Sequence, residues 1–198
     1  MIMKRIAMLA IALLCLIGAR AGECEVQSVE GGFYLGPTMP LGGYRGGENK
    51  VDISLGLSVS YNLEAVPVDV GVFMQFDCVR HRFTSGETIY ADGIPVGSYS
   101  YSKDQNNRTL AIGVVGNYNF RRCSKVNPFA GLGLGVGLND VVGDDTFYSK
   151  GTSFVAIPRV GVEFWQLFRI SAYATLCRTG YNNVGLTFGV SFGGRPRK

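Results

Sequence analysis

Apolar and small or polar residues alternate with a period of two through most of the chain, most strictly from Asn127 to Asp140, NPFAGLGLGVGLND. Ala130, Leu132, Leu134, Val136 and Leu138 occupy one phase, and Gly131, Gly133, Gly135 and Gly137 fill the other. A strand sends successive side chains to opposite faces, so this segment predicts a β-strand with one greasy face and one nearly empty one. The empty face suits the inside of a narrow barrel, where opposing walls come close. These glycines are not a dinucleotide-binding G-x-G-x-x-G, because the third glycine would fall at Val136 or Leu138. Gly131 and Gly135 have GxxxG spacing, but that motif works on a helical face and this pattern is not helical.

The same rhythm predicts eight strands: Gly31 to Pro40, Val51 to Asn62, Val68 to Arg80, Arg108 to Phe120, Pro128 to Asn139, Thr152 to Phe164, Phe168 to Arg178 and Asn183 to Gly193. In the second, Val51, Ile53, Leu55, Leu57, Val59 and Tyr61 alternate with Asp52, Ser54, Gly56, Ser58, Ser60 and Asn62. Each strand is long enough to cross a bilayer at a tilt, for which about 9 to 11 residues suffice.

Charge decides which face points where. Between the rims the apolar phase holds no Asp, Glu, Lys or Arg, whereas the other phase holds Asp52, Asp69, Asp77, Arg159 and Glu163 among Gly, Ser, Thr, Asn and Ala. A soluble barrel needs the reverse, with large apolar side chains inside and charges outside. The fold class implied is all-β, an eight-stranded antiparallel up-and-down transmembrane β-barrel. An interior of that size is filled by its own side chains, here including Tyr34, Phe73, Gln75, Tyr173, Arg159 and Glu163. Arg159 and Glu163 share a phase but stand four residues apart, too far to be direct neighbours. Buried charges need partners, so a lumen polar network of Asp69, Gln75, Asp77, Arg159 and Glu163 is expected. The simpler reading of these groups is as lumen fillers with no role beyond stability.

Connections set the orientation. Leu63 to Pro67, Arg121 to Asn127 and Trp165 to Leu167 are short, whereas Leu41 to Lys50 and His81 to Asn107 are long. Short turns face the periplasm in outer-membrane barrels and long loops face the medium. The outward aromatics Phe33, Tyr61, Tyr118, Phe120, Phe164, Phe168 and Phe192 all fall at the short-turn end, as an interfacial girdle would.

The first 21 residues differ from the rest. Lys4 and Arg5 precede an apolar run from Ile6 to Ile17 and then Ala19-Arg20-Ala21, the pattern of a secretory signal peptide cleaved near Gly22. Residues 22–198 then form a single barrel domain, with strands over about 31–193. The leader holds three of the nineteen basic residues and no acidic one. Sixteen basic residues face fifteen acidic ones in the remainder, which gives no reason to expect nucleic acid as a partner. Cys24, Cys78, Cys123 and Cys177 have no CxxC spacing and the chain has one histidine, so neither a metal site nor a cofactor is expected. Cys24 and Cys123 both fall on the oxidising periplasmic side and are candidates for a disulfide. Cys78 lies in the lipid phase and Cys177 in the lumen phase, on strands four apart, and these two should not pair.

With this pattern the chain resembles the small eight-stranded outer-membrane barrels of Gram-negative bacteria, the OmpX and OmpA-transmembrane-domain type. The most specific piece is Asn183 to Val190, NVGLTFGV, which matches the assembly signal of such proteins through Asn183, Gly185, Phe188 and Val190. The resemblance implies a bacterial outer-membrane location, lipid and lipopolysaccharide as surroundings, and insertion by the barrel-assembly machinery. The chain departs from it in ending with Gly193 to Lys198 after the aromatic Phe192.

Such barrels host several activities, so the fold leaves function open. The leading reading is a non-enzymatic barrel with a closed lumen, acting in surface interaction or envelope integrity through its extracellular loops. Alternatives are a small-solute pore and a lipid-modifying enzyme using His81, with Ser85, Asp77 and Glu87 near it in sequence. Arg80, His81 and Arg82 also suit lipopolysaccharide phosphates. From His81 to Asn107 two β-prone runs flank a bend at Asp92-Gly93. That predicts a hairpin lifting Tyr90, Tyr99 and Tyr101 into the medium, where they could contact an external protein or glycan.

Overall fold

The computed structural model describes residues 28–42, 47–91, 93–142 and 150–193. Its strands are β1 (Val29–Pro40), β2 (Gly47–Lys50), β3 (Asp52–Asn62), β4 (Val68–Ala91), β5 (Ile94–Asn119), β6 (Val126–Val142), β7 (Gly151–Phe164), β8 (Phe168–Thr175) and β9 (Asn183–Gly193). Neighbours pair antiparallel in the order β4-β3-β1-β9-β8-β7-β6-β5, and β5 returns to β4, so eight strands close a ring. The short β2 lies outside that ring and, among the described residues, pairs only with β4. Closure removes every edge within the belt, which is what a sheet in lipid requires.

The predicted phase is the observed one. Along β3, Ile53, Leu55, Leu57, Val59 and Tyr61 are exposed while Ser54, Gly56, Ser58, Ser60 and Asn62 are buried. Leu132, Leu134, Val136 and Leu138 of β6 likewise face outward, and Phe33, Tyr61, Tyr118, Phe168 and Phe192 are exposed at the short-turn end. Trp165 joins this group through ring contacts with Phe164 and Phe168. It sits in a tight turn where Trp165 and Gln166 have φ of 52° and 54°, a left-handed pair that suits the twist of a hairpin.

The glycines of the inner phase make room for rings. A Cβ on Gly56 would collide with the Tyr34 ring and one on Gly185 with the Tyr173 ring, while Gly133 and Gly161 lie against Phe73 and Phe129. Filling is partly apolar, since Phe73, Ala111, Val115, Val155, Ile157 and Tyr173 form a buried cluster inside the ring. Val115, Val155 and Ile157 sit in the phase read above as mainly small and polar. Across the middle of so narrow a barrel, opposing walls can bury apolar side chains against each other without lipid.

Two ladders are interrupted. Between β7 and β8 the pairing runs from Phe164↔Phe168 to Arg159↔Tyr173, skips Pro158 and Ile157, and resumes as a single bridge at Ala156↔Leu176. Between β1 and β9 it skips Gly36 and Pro37. Proline has no N–H to donate to the ladder. The pair β8 and β9 therefore has a gap in its hydrogen bonding on both outer sides.

Candidate functional site

Two regions carry the polar chemistry: the lumen, and the part of the barrel that rises beyond the belt. Inside, Asp77 of β4 is 1% exposed and serves as a shared acceptor. It accepts from Ser54 Oγ at 2.6 Å, Gln75 Nε2 at 3.0 Å, Tyr173 OH at 3.1 Å, Thr175 Oγ1 at 2.7 Å and Asn183 Nδ2 at 3.2 Å. Tyr173 and Thr175 lie on β8 and Asn183 on β9, so this one carboxylate ties the proline-bounded pair to β4 on the opposite wall. Five neutral donors supply the stabilisation that a buried carboxylate otherwise takes from a cation.

Nearer the short-turn end, Asp69 accepts from Asn117 Nδ2 at 2.5 Å and Asn119 Nδ2 at 2.9 Å. Arg159 reaches this group through Asn117, whose Oδ1 accepts from Arg159 Nε at 2.8 Å. Glu163 belongs to a third cluster. Arg169 Nη2 lies 2.8 Å from Glu30 Oε1 and 3.3 Å from Glu163 Oε2, and its guanidinium stacks 4.7 Å from the Phe129 ring centre. The five expected residues are thus all inside, but divided: Gln75 with Asp77, Arg159 with Asp69, and Glu163 with neither aspartate.

Sequence reasoning missed Glu30, Arg169 and the bridging Asn117. Arg169 shares the inner phase with Ser171 and Tyr173, so the alternation itself could have placed it. Glu30 lies just before the predicted strand start at Gly31, whereas β1 begins at Val29. Asn183, singled out for the assembly signal, also has the structural role of donor to Asp77.

At the outer end the segment between β8 and β9 folds over the lumen. Tyr181 is fully buried, Asn107 Nδ2 donates to Gly180 O at 2.7 Å, and Leu41 N donates to Asn182 O at 2.8 Å. His81 lies beneath this segment, 2% exposed. Burial pushes its imidazole pKa down, opposed by a hydrogen bond to the Gly180 backbone. Alternation separates it from Arg80 and Arg82, whose side chains are both partly exposed, so the three do not form one surface for phosphate. Arg80 lies 3.5 Å from Asp52. Arg82 makes a forked pair with Asp104, Nε to Oδ1 at 2.7 Å and Nη2 to Oδ2 at 3.1 Å, which holds the Asp104 carboxyl below its ordinary pKa. Lys150 does the same for Asp140 at 2.8 Å.

Beyond this charged rim, β4 and β5 continue as a hairpin from His81↔Gln105 to Ala91↔Ile94, with an irregularity at Ile89/Tyr90. Gly93 takes φ of 79° at the bend; Asp92 lies outside the described residues. The two faces of the hairpin differ. Glu87, Tyr99, Tyr101 and Lys103 continue the lumen phase, with the tyrosine rings stacked at 6.2 Å, Tyr99 OH 2.5 Å from Glu87 Oε2, and Lys103 Nζ 5.9 Å from the Tyr101 ring centre. The other face carries Thr84, Gly86, Thr88, Ser98, Ser100 and Ser102. Tyr90, Tyr99 and Tyr101 are 64%, 48% and 39% exposed. The side chain of Ser85, considered above as a partner for His81, lies outside the described residues.

Cys123 is disulfide-bonded, and Cys78 and Cys177 are free thiols, as their opposite phases require. Cys24 lies outside the described residues, as do the leader and Gly194 to Lys198. Among the described residues no group of His, Cys, Asp and Glu is arranged to hold a metal ion.

No protein-family model matches the chain, and no curated protein matches it. Solved structures with a similar barrel include Neisserial surface protein A (15% identity, 85% of this chain and 99% of that one, TM-score 0.47). The amino-terminal β-barrel domain of Pseudomonas aeruginosa OprF matches at 12% identity, with 85% and 100% coverage and a TM-score of 0.45. Ail, the attachment invasion locus protein of Yersinia pestis, matches at 15% identity, with 85% and 99% coverage and a TM-score of 0.43. At these levels the likeness carries nothing about activity or partner.

Proposed function

We propose that this chain is a non-enzymatic outer-membrane β-barrel with a closed lumen, acting in surface interaction or envelope integrity through the β4–β5 hairpin. The observation that carries the reading is the ladder itself, which holds β5 from Ile94 to Lys103 against β4 beyond the Arg82–Asp104 rim. At about 3.3 Å per residue that is roughly 30 Å of strand beyond the rim. Among the described residues, no strand other than β4 pairs with β5 over that length. It therefore offers a backbone edge and a tyrosine face to an external protein or glycan.

The apolar belt supports a lipid location and the girdle fixes its height. On this reading half-exposed Arg80 and Arg82, each beside a carboxylate, meet lipopolysaccharide phosphates separately and not as one surface with His81, and Asn183, Gly185, Phe188 and Val190 serve insertion by the barrel-assembly machinery. The burial of His81 under Gly180 and Tyr181 favours the non-enzymatic reading over lipid modification. The interior favours a closed lumen over a pore, because three polar side-chain clusters and an apolar one fill it. Deleting Glu87 to Lys103 is expected to leave the barrel folded and inserted while cell-surface binding and protection phenotypes disappear. Unchanged phenotypes in cells carrying the inserted, shortened protein would contradict the role given to the hairpin.

A further inference from the structure

The lumen contains a cavity of about 20 Å³ between the Asp77 and Glu30 clusters, larger than the roughly 10 to 15 Å³ that one water requires. Its walls include two guanidinium groups, Arg159 and Arg169, with hydroxyls from Tyr34, Ser58, Ser171 and Thr187, and no carboxylate. Arg169 spends its Nη2 on Glu30 and Glu163, while its Nε has no hydrogen-bond partner. Arg159 spends its Nε on Asn117, and its Nη2 is likewise buried and unbonded, as is the Tyr34 hydroxyl. Arg159 also has no carboxylate within ion-pair distance among the described residues.

A buried guanidinium N–H without an acceptor is a costly arrangement in a protein interior. Here Arg159 reaches its nearest acid, Asp69, only through Asn117, and the buried unbonded atoms on the residues that line the space are Arg159 Nη2, Arg169 Nε and the hydroxyls of Tyr34 and Ser191. A spherical acceptor satisfies such donors without presenting hydrogens of its own, as water must. An oxyanion such as phosphate is too large for the space. We infer that this cavity binds one monatomic anion of chloride size, held by Arg159 Nη2, Arg169 Nε and the Tyr34 hydroxyl. The site is independent of the hairpin and of its partner.

Bromide tests this directly, because it replaces chloride and scatters anomalously. Crystals of the refolded barrel grown in sodium bromide are expected to show one anomalous peak in the cavity. Thermal unfolding of the same protein is expected to rise saturably with sodium chloride, as ligand binding to the folded state requires. Sodium gluconate at equal ionic strength, which screens equally but does not fit, should give no such rise. Arg159→Met should remove the halide dependence, and Arg159→Lys should weaken it at least tenfold. The measurements on the unaltered protein stand even if neither variant folds. Absence of the peak would overturn the inference. A peak accompanied by identical melting in chloride and gluconate, an adventitious ion only, would overturn it as well.

Discussion

Asp77→Ala is expected to cost about 4 kcal/mol of unfolding free energy, among the largest losses available from one side chain in this barrel. The carboxylate takes hydrogen bonds from Ser54, Gln75, Tyr173, Thr175 and Asn183. Removing it leaves those donors facing one another in a buried space, where each unsatisfied group costs about 1 to 3 kcal/mol before relaxation. Part of that is recovered as the side chains turn to other acceptors, which is why the sum is not additive. The loss also falls where backbone pairing is thinnest, on the two strands bounded by the Pro37 and Pro158 gaps. Asp77→Asn retains one acceptor oxygen but sets an NH2 against donors, and should cost roughly half as much. Denaturant unfolding of the refolded protein in vesicles measures both. Losses under about 1 kcal/mol for both variants would show that the Asp77 cluster does not hold the walls together.

Leu134→Lys, Leu55→Lys and Val72→Lys are each expected to cost about 2 to 4 kcal/mol in a bilayer. All three residues are exposed; Leu134 is at the middle of β6 and Val72 joins it through Val114 in the belt part of β4, with apolar neighbours such as Val114 and Ala156 beside Leu134. A lysine there leaves its ammonium in hydrocarbon. The same substitution at Val126, at the short-turn end of β6, lies near the interface and should cost about 1 kcal/mol or less. Serine at Gly133 or Gly56 disturbs the barrel by a different route, because the added atoms meet the rings of Phe73 and Tyr34. That penalty should be the same in bilayers of different thickness, whereas the lysine penalty follows depth. A lysine scan with no maximum at mid-strand would reverse the assignment of faces.

The fold was legible because alternation is a local property. Period two in Val51 to Asn62 specifies both a strand and its two faces, and the absence of charge in one phase says which face meets lipid. Strand ends were less legible, since β4 and β5 run eleven and fourteen residues past the predicted limits at Arg80 and Arg108. In the hairpin neither face is apolar, so the signal that marks the belt fades while the ladder continues. The site was legible as a set of residues and not as a set of pairs. Which inner charges meet depends on contacts across the lumen between strands far apart in sequence, such as Glu30 with Arg169. The folding of Tyr181 into the outer end, with His81 beneath it, likewise depends on the turn between β8 and β9, where alternation says nothing. The apolar cluster around Phe73 and Ile157 was obscured for a related reason: inside a closed ring, opposing walls supply each other with the burial that a flat sheet would have to find in lipid.

The account stands on a barrel that is apolar outside and filled inside, and conductance across planar bilayers tests that most directly. The refolded, purified protein is predicted to insert without producing stable current steps, because Asp77 ties β4 to β8 and β9, Arg169 ties β1 to β7, and the cavity between them holds no more than an ion or a water. Reproducible, long-lived steps from the unaltered protein would contradict the closed lumen and point instead to passage of small solutes.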